Sequence, residues 1–382
     1  MQTTFDDIRP YISSEIPPAM QRIAESEHFA MLSNFIFPNR AVEDVREMVR
    51  QIRTTDEFQA KVMHHVNTQI IRRSMTGLSI EGLETLDPAK RYLFVSNHRD
   101  IMLDSSLLQN ILFDHGFRTT EITFGSNLMH PQLVVDIGRA NKMFKVIRSS
   151  NIRDFLNNSK RLSEYIRYTI TEKGESIWIA QRNGRTKDGN DATDQGMIKM
   201  FCMSQSSDLV RSIDELHIVP IAISYQIEPC DFLKTRELYL SKDGVKYYKQ
   251  PEEDLNSILT GIRQPKGQVH LSFGKPITSE DLTFDQKIPN EFYKNVANLI
   301  DKQIYARYKL FNNNYIAHDL RSGENAYSAH YTQAEKEVFI TRCRYMLKQV
   351  EGDQETLMSI FLGIYANPID NGIQLRIKRI KN

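Results

Sequence analysis

Short apolar runs alternate with amphipathic stretches from about Met75 onward, and this alternation restricts the possible folds most strongly. The segment 155–173 places Leu162, Ile166 and Ile170 on one helical face. Strands that alternate with helices form βαβ units. The sequence therefore predicts an α/β fold, with a mixed, mostly parallel sheet flanked by helices. The predicted strands are RYLFVS (91–96), EITFG (121–125), FKVIR (144–148), SIWIA (176–180), HIVPIAIS (217–224) and QVHLSF (268–273).

Helical segments precede and follow this alternating region. The pair Pro17–Pro18 suits the first turn of a helix. Asn290 is a candidate N-cap, and Thr332 with Glu335 forms a candidate capping box. Residues 225–267 are less regular and predict an insertion or an edge-strand region. We predict an N-terminal helical region (1–75), an α/β domain (76–285) and a C-terminal helical region (286–382).

The charge balance and the cysteines exclude several classes of protein. The 382 residues include 49 Lys and Arg against 48 Asp and Glu, so the chain lacks the basic excess of a dedicated nucleic-acid binder. Its three cysteines are widely spaced and form neither a disulfide framework nor a metal-ligand cluster, which predicts a reducing compartment. No stretch approaches the ~18 consecutive apolar residues of a membrane span. Any membrane contact is therefore expected to be peripheral.

The most informative stretch follows the first predicted strand. The segment NHRDIMLD (97–104) places His98 in a polar loop and Asp104 where the next helix is predicted to begin. The carboxyl ends of strands are where open α/β sheets bind ligands. A histidine with a carboxylate partner can act as a general base, because the carboxylate fixes its tautomer and stabilises the imidazolium. Asp100 is a second candidate partner, and a loop histidine hydrogen-bonded for structural reasons is the competing interpretation.

Cations follow two other predicted strands. Arg148 ends the strand FKVIR, and Arg182, Arg185 and Lys187 stand in the loop that follows the strand SIWIA. A glycine-containing loop with several cations at the carboxyl end of a strand suits a phosphate or another anion. A solvated loop with scattered charge is the simpler interpretation, but Arg148 at a second strand end favours an anion site.

Five segments resemble the conserved blocks of the glycerolipid acyltransferases, the glycerol-phosphate and lysophosphatidate acyltransferase superfamily, in the order in which that family has them. The first block of the family consists of Asn-His, four residues and Asp, and the last segment resembles a strand-end motif that follows the fourth block. The segments are FVSNHRDIMLD (94–104), FKVIR (144–148), IAQRNGRTK (179–187), IVPIAIS (218–224) and FGKPI (273–277).

The sequence departs from the family pattern at two places. Five residues instead of four separate His98 from Asp104, and Asp100 occupies a position where the family often has serine. The family pattern favours Asp104 as the partner of His98, since Asp104 stands at the start of the helix. In the third block Gln181 and Arg182 replace the usual Pro-Glu-Gly, so no role is carried over to that glutamate.

The resemblance implies an acyltransferase of phospholipid biosynthesis. A fatty acyl group would pass from an acyl-carrier-protein or coenzyme A thioester to the hydroxyl of a glycerol-phosphate or lysophosphatidate acceptor. His98 would remove the proton of the hydroxyl, Asp104 would orient His98, and the four cations of the two loops would bind the phosphate. Neither a metal nor an organic cofactor is implied.

Two alternatives remain open. The acceptor hydroxyl could belong to an amino-acid-based lipid, with the arginines binding a carboxylate. The chain could instead be a non-catalytic, lipid-binding relative, since its third block is altered.

A lipid acceptor implies that the protein works at a membrane surface. The candidate docking elements are the apolar cluster at residues 29–37 and the basic tail LRIKRIKN at 375–382. Each Lys or Arg near an anionic surface gains about 1 kcal/mol. Packing of the apolar cluster against the α/β core is the competing interpretation. We expect a cytoplasmic protein that associates peripherally with the membrane.

Overall fold

The computed structural model describes residues 5–128, 131–147, 151–245, 247–250 and 252–380 of the chain. Arg148 is therefore outside the described residues. The strands are β1 (Met75–Glu81), β2 (Leu93–Ser96), β3 (Thr120–Gly125), β4 (Met143–Val146), β5 (Ser176–Ala180), β6 (Ile218–Tyr225) and β7 (Gly267–Phe273). The helices are α1 (Ile16–Glu25), α2 (Phe29–Ile36), α3 (Val42–Arg50), α4 (Thr55–Phe58), α5 (His64–Ser74), α6 (Leu103–Asp114), α7 (Gln132–Ala140), α8 (Ile152–Tyr168), α9 (Gln195–Cys202), α10 (Leu209–Asp214), α11 (Asp231–Leu240), α12 (Glu252–Arg263), α13 (Pro289–Arg307), α14 (Asn312–Ser322), α15 (Gln333–Leu347) and α16 (Gln354–Ile380).

The strands form one mixed sheet in the order β1-β7-β6-β2-β5-β3-β4. The five strands from β6 to β4 are parallel, while β7 runs antiparallel to β6 and pairs in parallel with β1. The predicted α/β fold with a mostly parallel sheet is confirmed. Because β6, β2, β5, β3 and β4 all point the same way, the loops that follow them meet at one edge of the sheet. We call this edge the carboxyl edge.

Both faces of the sheet are buried. In β2, Leu93 and Val95 face a core that includes the apolar sides of α8, α9 and α13, while Phe94 faces a second core that includes Leu107 and Leu108 of α6. This alternation follows from the two-residue period of a strand. Helices on both faces explain why the central strands are almost continuously apolar.

Each of the six predicted strands appears in the sheet, with ends shifted by at most a few residues. Strand β1 was not predicted; it is an edge strand that contains Gly77 and has several exposed side chains. Between β6 and β7 the described residues form the helices α11 and α12. Of the two predicted possibilities, an insertion or an edge-strand region, the edge strand is therefore wrong. In α12 the apolar residues Leu255, Ile258, Leu259 and Ile262 recur at the spacing of a helix, which is the signal that was overlooked.

The helix caps follow the sequence in part. Pro17 and Pro18 lie in the first turn of α1, as predicted. Thr332 and Glu335 form a reciprocal capping box at α15, also as predicted. The N-cap of α13 is Ile288 instead of Asn290, because Pro289 already occupies the first turn.

The N-terminal apolar cluster is largely buried. Phe29 and Phe37 are 4% and 8% exposed and pack with α1, α3, α4 and Ala140 of α7. Met31 remains 65% exposed. Packing is therefore the interpretation that the structure supports for most of this cluster.

The C-terminal helices α14, α15 and α16 share their own apolar core, which includes Phe339, Leu347 and Phe361. The side chains of the basic tail at 375–382 are outside those that the structure describes. In the part of the chain that is described, no helix is both long enough and apolar enough to cross a bilayer.

Candidate functional site: a His–Asp pair at the carboxyl edge of the sheet

His98 and Asp104 form a hydrogen-bonded pair at the carboxyl edge. His98 lies two residues beyond the end of β2, and Asp104 is in the first turn of α6. Their Nδ1 and Oδ2 atoms are 2.8 Å apart. A carboxylate at a helix N-terminus is stabilised by the helix dipole. The structure thus brings together the two residues that the sequence analysis paired.

Asp104 is held as a fully buried carboxylate. Its Oδ2 accepts hydrogen bonds from His98 Nδ1 and from the backbone N–H groups of Arg99 (2.6 Å) and Asp100 (2.9 Å). Its Oδ1 accepts a hydrogen bond from the hydroxyl of Tyr225 at 2.8 Å. Burial by itself would raise the pKa of Asp104, but the hydrogen bond and the charge of His98, with the other donors, outweigh burial and lower the pKa. Asp104 is therefore an acceptor, and Nδ1 of His98 must carry the proton that it donates.

The other ring nitrogen of His98 points away from this pair. Within the described residues Nε2 makes no hydrogen bond, and the side chain is 13% exposed. The ring of Trp178 meets the imidazole edge to face, with the centroids 5.5 Å apart. Trp178 is itself fixed by a 2.9 Å hydrogen bond from its Nε1 to Ser96 Oγ. A neutral His98 with a proton on Nδ1 presents a basic, accessible Nε2.

Asp100, the alternative carboxylate, does not contact the imidazole. Its Oδ1 accepts hydrogen bonds from the backbone N–H groups of Met102 and Leu103, both at 2.9 Å, and so caps the start of α6. Its Oδ2 is buried close to Gly261 of α12 and has no hydrogen bond among the described residues. The turn from Asp100 to Leu103, which these two hydrogen bonds close, accommodates the extra residue between His98 and Asp104.

Both neighbours of His98 in the chain are fixed by one carboxylate. Asp191 Oδ2 accepts hydrogen bonds from Asn97 Nδ2 at 3.2 Å and from Arg99 Nη2 at 2.5 Å. The carbonyl oxygen of His98 accepts a hydrogen bond from the backbone N–H of Thr186 at 2.7 Å. The loop after β5 therefore holds the His98 loop at three consecutive residues.

Arg99 is completely buried in a network of charges. Its Nη1 lies 3.3 Å from Glu228 Oε2, and its guanidinium stacks over the ring of Tyr308 at 5.3 Å. Lys234 donates hydrogen bonds to Glu228 Oε1 at 2.5 Å and to the carbonyl of Arg99 at 2.7 Å. Burial alone would lower the pKa of Arg99, but the carboxylates of Asp191 and Glu228 raise it. Arg99 is therefore a permanently charged anchor of the His98 loop.

Arg185 lines a small cavity between the β5 loop and the two helices of the 225–267 segment. Arg236, Lys249, Glu237 and Ser257 are among the other residues that line it. Arg185 is only 8% exposed, and its Nη1 has no hydrogen-bond partner within the described parts of the chain. A buried guanidinium group that lacks a carboxylate partner favours an anion nearby.

Of the other predicted cations, the structure describes Lys187 and Arg182, and neither of them lines the Arg185 cavity. Lys187 forms an ion pair with Glu237, and this pairing reduces its attraction for another anion. Arg182 is partly exposed and has no hydrogen bond or ion pair with the residues that the structure describes. Arg148 is outside those residues. The cations Arg236 and Lys249 at the cavity come from a segment in which the sequence analysis found no site.

Gln181 is one of the two residues that stand in place of the Pro-Glu-Gly of the family. Its side chain is fully buried, and neither atom of its amide has a hydrogen-bond partner among the described residues. Its backbone N–H donates to the carbonyl of Ser96 at 2.8 Å and so extends the pairing of β5 with β2. Among all the residues that the structure describes, no group of three or more His, Cys, Asp or Glu side chains could hold a metal ion.

Several residues of this site were missed from sequence. Tyr225 is the last residue of β6, the strand next to β2, so its position directly after the fourth block was a usable signal. Trp178, in β5 on the other side of β2, is the only tryptophan in the chain. Asp191 and Glu228 had no local signal, because their partner Arg99 is distant in sequence.

These observations define the class of structure: a mixed α/β domain with a buried His–carboxylate pair at its carboxyl edge. Residues 77–224 match the family model described as Acyltransferase, and this range contains both members of the pair and all four predicted cations. Over this range, which is less than half of the chain, the protein is similar to acyltransferases, in agreement with the resemblance of the ordered blocks to the glycerolipid acyltransferase superfamily.

Its relatives include glycerol-3-phosphate acyltransferases of two Pseudomonas species. The protein of Pseudomonas syringae pv. tomato is 25% identical over 200 residues, which make up 52% of this chain and 22% of the relative. The protein of Pseudomonas putida strain W619 is 26% identical over 201 residues, which make up 52% of this chain and 23% of the relative. The match thus spans less than a quarter of the length of these curated relatives.

Among solved structures, the crystal structure of the 1-acyl-sn-glycerophosphate (LPA) acyltransferase PlsC from Thermotoga maritima is similar to this chain. The comparison has a TM-score of 0.38 and 11% sequence identity, and it covers 78% of this chain and 100% of that one.

Proposed function

We propose that this protein transfers a fatty acyl group from a thioester to the hydroxyl of a glycerol-phosphate or lysophosphatidate acceptor. The observation that carries the proposal is the 2.8 Å bond between His98 Nδ1 and the buried carboxylate of Asp104. This bond assigns the tautomer of His98 and leaves Nε2 as a base. The names of the Pseudomonas relatives support the acceptor class.

The pair accounts for both proton transfers of the reaction. Nε2 of His98 takes the proton of the acceptor hydroxyl while the hydroxyl oxygen attacks the thioester carbonyl. The imidazolium that forms is stabilised by Asp104, which stays ionised because its pKa is lowered. When the tetrahedral intermediate collapses, the C–S bond breaks and the imidazolium returns the proton to the sulfur. The products are the ester and the free thiol of coenzyme A or acyl-carrier protein.

Recognition of the acceptor phosphate is assigned to Arg185. The residue after it, Thr186, donates its backbone N–H to the His98 carbonyl, so the Arg185 loop adjoins the proposed base. The guanidinium is buried and lacks a carboxylate partner in the described structure, which favours an anionic ligand. Arg182 and Arg148 remain candidates for the same phosphate, whereas the pairing of Lys187 with Glu237 disfavours it.

The protein would meet its acceptor at a membrane surface, on the cytoplasmic side and without crossing the bilayer. The surface that supports this proposal is the first two turns of α8, where Ile152, Phe155 and Leu156 are 79%, 54% and 46% exposed. Helix α8 follows β4 and so starts at the carboxyl edge, the edge at which His98 lies.

The proposal is tested by measuring thiol release from acyl-coenzyme A and from acyl-carrier protein with purified protein. The acceptors are glycerol 3-phosphate, lysophosphatidate in detergent and an acyl-amino acid lipid bearing a free hydroxyl. His98→Gln should lower the rate by about 10²–10⁴-fold, the size of a general-base effect. The unchanged unfolding temperature of the variant is the control for its fold. A rate above about a tenth of that of the unaltered protein would exclude His98 as the base.

The acceptor is tested in the same assay with Arg185→Lys. Lysine offers a point charge in place of a planar fork, and the lost contact is worth about 1.5–3 kcal/mol. The KM for the phosphate acceptor should therefore rise by roughly tenfold or more, while the donor KM stays nearly unchanged. Arg211→Lys, at an exposed arginine of α10 that pairs with Glu215 and lies outside the cavity, is the matched control. A change in the donor KM alone would assign Arg185 to the thioester, and activity only with the amino-acid lipid would reject the phosphate acceptor.

A further inference from the structure

Helix α16 lies far beyond the residues that match the acyltransferase family, yet it contacts the loop after β5 directly. Asn367 Nδ2 donates a hydrogen bond to the carbonyl of Asp188 at 2.7 Å, and Asn371 Nδ2 donates one to the carbonyl of Gly189 at 3.4 Å. Gly189 has a φ of +79°, and an added Cβ would lie 2.2 Å from the carbonyl oxygen of Ile364. The backbone at 188–189 is therefore shaped to fit against α16.

The loop that α16 holds is the one that fixes His98. Two residues after Gly189, Asp191 accepts hydrogen bonds from Asn97 and Arg99, the two neighbours of His98. Earlier in the loop, Thr186 donates to the carbonyl of His98. A displacement of the loop relative to the sheet would therefore be transmitted to the backbone of His98 on both sides.

A second route connects α16 with Arg99. The hydroxyl of Tyr365 donates to Asp231 Oδ2 at 2.7 Å and accepts a hydrogen bond from the backbone N–H of Glu228 at 3.0 Å. The side chain of Glu228 pairs with Arg99 at 3.3 Å. Arg342 of α15 is bound to the same Asp231 oxygen at 2.5 Å. The C-terminal helices thus reach the residue after His98 through buried polar groups as well as through the loop.

We infer that α16 is a positioning element for the His98 loop and that Asp191, Asn367 and Asn371 are positioning residues of the reaction. Among the described residues none of them is hydrogen-bonded to the imidazole, so each acts by restricting where Nε2 of His98 can lie. A general base must stay within hydrogen-bond reach of the proton it removes, and a misplacement of about 1 Å can cost on the order of 10²-fold in rate. The catalytic part of this inference rests on the function proposed above, whereas the mechanical part does not.

The test uses the full-length double variant Asn367→Ala/Asn371→Ala, which removes both side-chain donors to the loop. Hydrogen exchange is followed in peptides that cover 97–104, 181–194 and β7, because local opening exposes only the backbone of the segment that loosens. We expect faster exchange in 97–104 and 181–194 and unchanged exchange in β7. We also expect kcat to fall by about tenfold to 10²-fold, with both KM values nearly unchanged.

Arg321→Ala is the matched control. Arg321 binds Asp370 and the side-chain oxygen of Asn367, so this change disturbs α14 and α16 but removes neither of the two side-chain donors to the loop. Its exchange and kcat should remain close to those of the unaltered protein. Gly189→Ala is a second, independent variant, since its Cβ would press against α16, and it should reproduce the exchange pattern of the double variant.

Two results would overturn the inference. In the first, exchange in 97–104 and the kcat of the double variant equal those of Arg321→Ala. In the second, exchange rises equally in β7, which would make α16 a general stabiliser of the fold. Failure of the proposed function is recognised separately: the unaltered protein would then show no acyl transfer, and the exchange data alone would decide whether α16 holds the loop.

Discussion

Asp100, before helix α6, and Asp104, in its first turn, bind different groups. Asp104 binds the imidazole of His98, whereas Asp100 binds the backbone at the start of α6. An aspartate in the first turn and an aspartate that caps it are both favoured by the helix, so the sequence pattern offered two equivalent partners. The deciding contacts come from the geometry of the turn and from Tyr225 on a strand that is distant in sequence.

Asp104→Asn should abolish most of the activity, and Asp100→Asn should not. The amide of an asparagine at 104 would donate toward His98 and favour the wrong tautomer, an effect that can reach about 10⁴-fold in kcat. Asp100→Asn keeps an oxygen that can cap α6, so we expect a loss of at most about 1 kcal/mol in the free energy of unfolding. Both quantities are measured, by thiol release and by urea unfolding. The opposite order of activities would assign Asp100 as the partner of His98.

Some residues of the site could be predicted from the sequence, whereas others could not. His98 and the cations were predicted because they follow recognisable strands, and Asp104 was predicted because it stands where a helix begins. Arg99 was not found, since a charged residue beside a catalytic motif gives no sign that it will be buried against Asp191 and Glu228. These three residues lie up to 129 positions apart, and only the folded chain brings them together.

At the scale of elements, apolar periodicity predicted the sheet well and the 225–267 segment poorly. The central strands are buried on both faces, so their apolar runs are continuous and easily recognised. Strand β1 and helix α12 each expose several residues, and their patterns are correspondingly diluted. The helices α11 and α12 nevertheless supply part of the wall of the Arg185 cavity.

The exposed apolar residues at the start of helix α8 are expected to bind the membrane surface. Phe155→Ser/Leu156→Ser should weaken binding to vesicles that contain anionic phospholipid, because a buried Phe or Leu side chain is worth about 1.5–3 kcal/mol. Arg153 and Lys160 in the same exposed stretch suit a negatively charged surface. Both altered side chains are solvent-exposed, so the unfolding temperature should change little. Binding is measured by flotation of vesicles in a density gradient.

Met31→Ser is the control for that experiment. Met31 is 65% exposed on α2, in the N-terminal cluster that is otherwise largely buried. If this change weakens vesicle binding more than the change in α8, the N-terminal cluster is the docking element after all. If neither change alters binding, the exposed residues of α8 do not contact the membrane.

In the molecule as a whole, the sheet and its flanking helices were predicted from the sequence, but the contacts between helix α16 and the His98 loop were not. The match to the acyltransferase family model ends at Ser224, whereas the contacts that hold the His98 loop extend to Asn371. The division into regions 1–75, 76–285 and 286–382 remains a prediction. Helix α13, assigned there to the C-terminal region, packs Phe292, Val296 and Ile300 into the core on one face of the sheet.

The three cysteines report on the integrity of the whole fold. Cys202, Cys230 and Cys343 are free and buried, and burial raises the pKa of the first two thiols to about 11 and of the third to about 12. Because the thiolate is the reactive form, we expect a disulfide reagent to label the native protein only as fast as it opens. The raised pKa values of the three thiols also make the free energy of unfolding depend on pH.

A thiol with a raised pKa in the folded state stabilises the fold fully below the unfolded pKa of about 9, and this contribution is lost as pH rises toward the folded pKa. Between pH 9 and pH 10 each thiol should therefore cost about 1 kcal/mol in the free energy of unfolding. Cys202→Ala/Cys230→Ala/Cys343→Ala should lose correspondingly less stability over this interval. Urea unfolding at pH 8, 9 and 10 measures the difference. Burial lowers the pKa of Lys266 to about 8, which has the opposite effect on stability, and the charge of Cys230 acts on this pKa. Cys202→Ala/Cys343→Ala, which keeps Cys230 beside Lys266, is therefore measured as well. Equal losses in the unaltered protein and in both variants would mean that the thiols do not hold their raised pKa values in the native state.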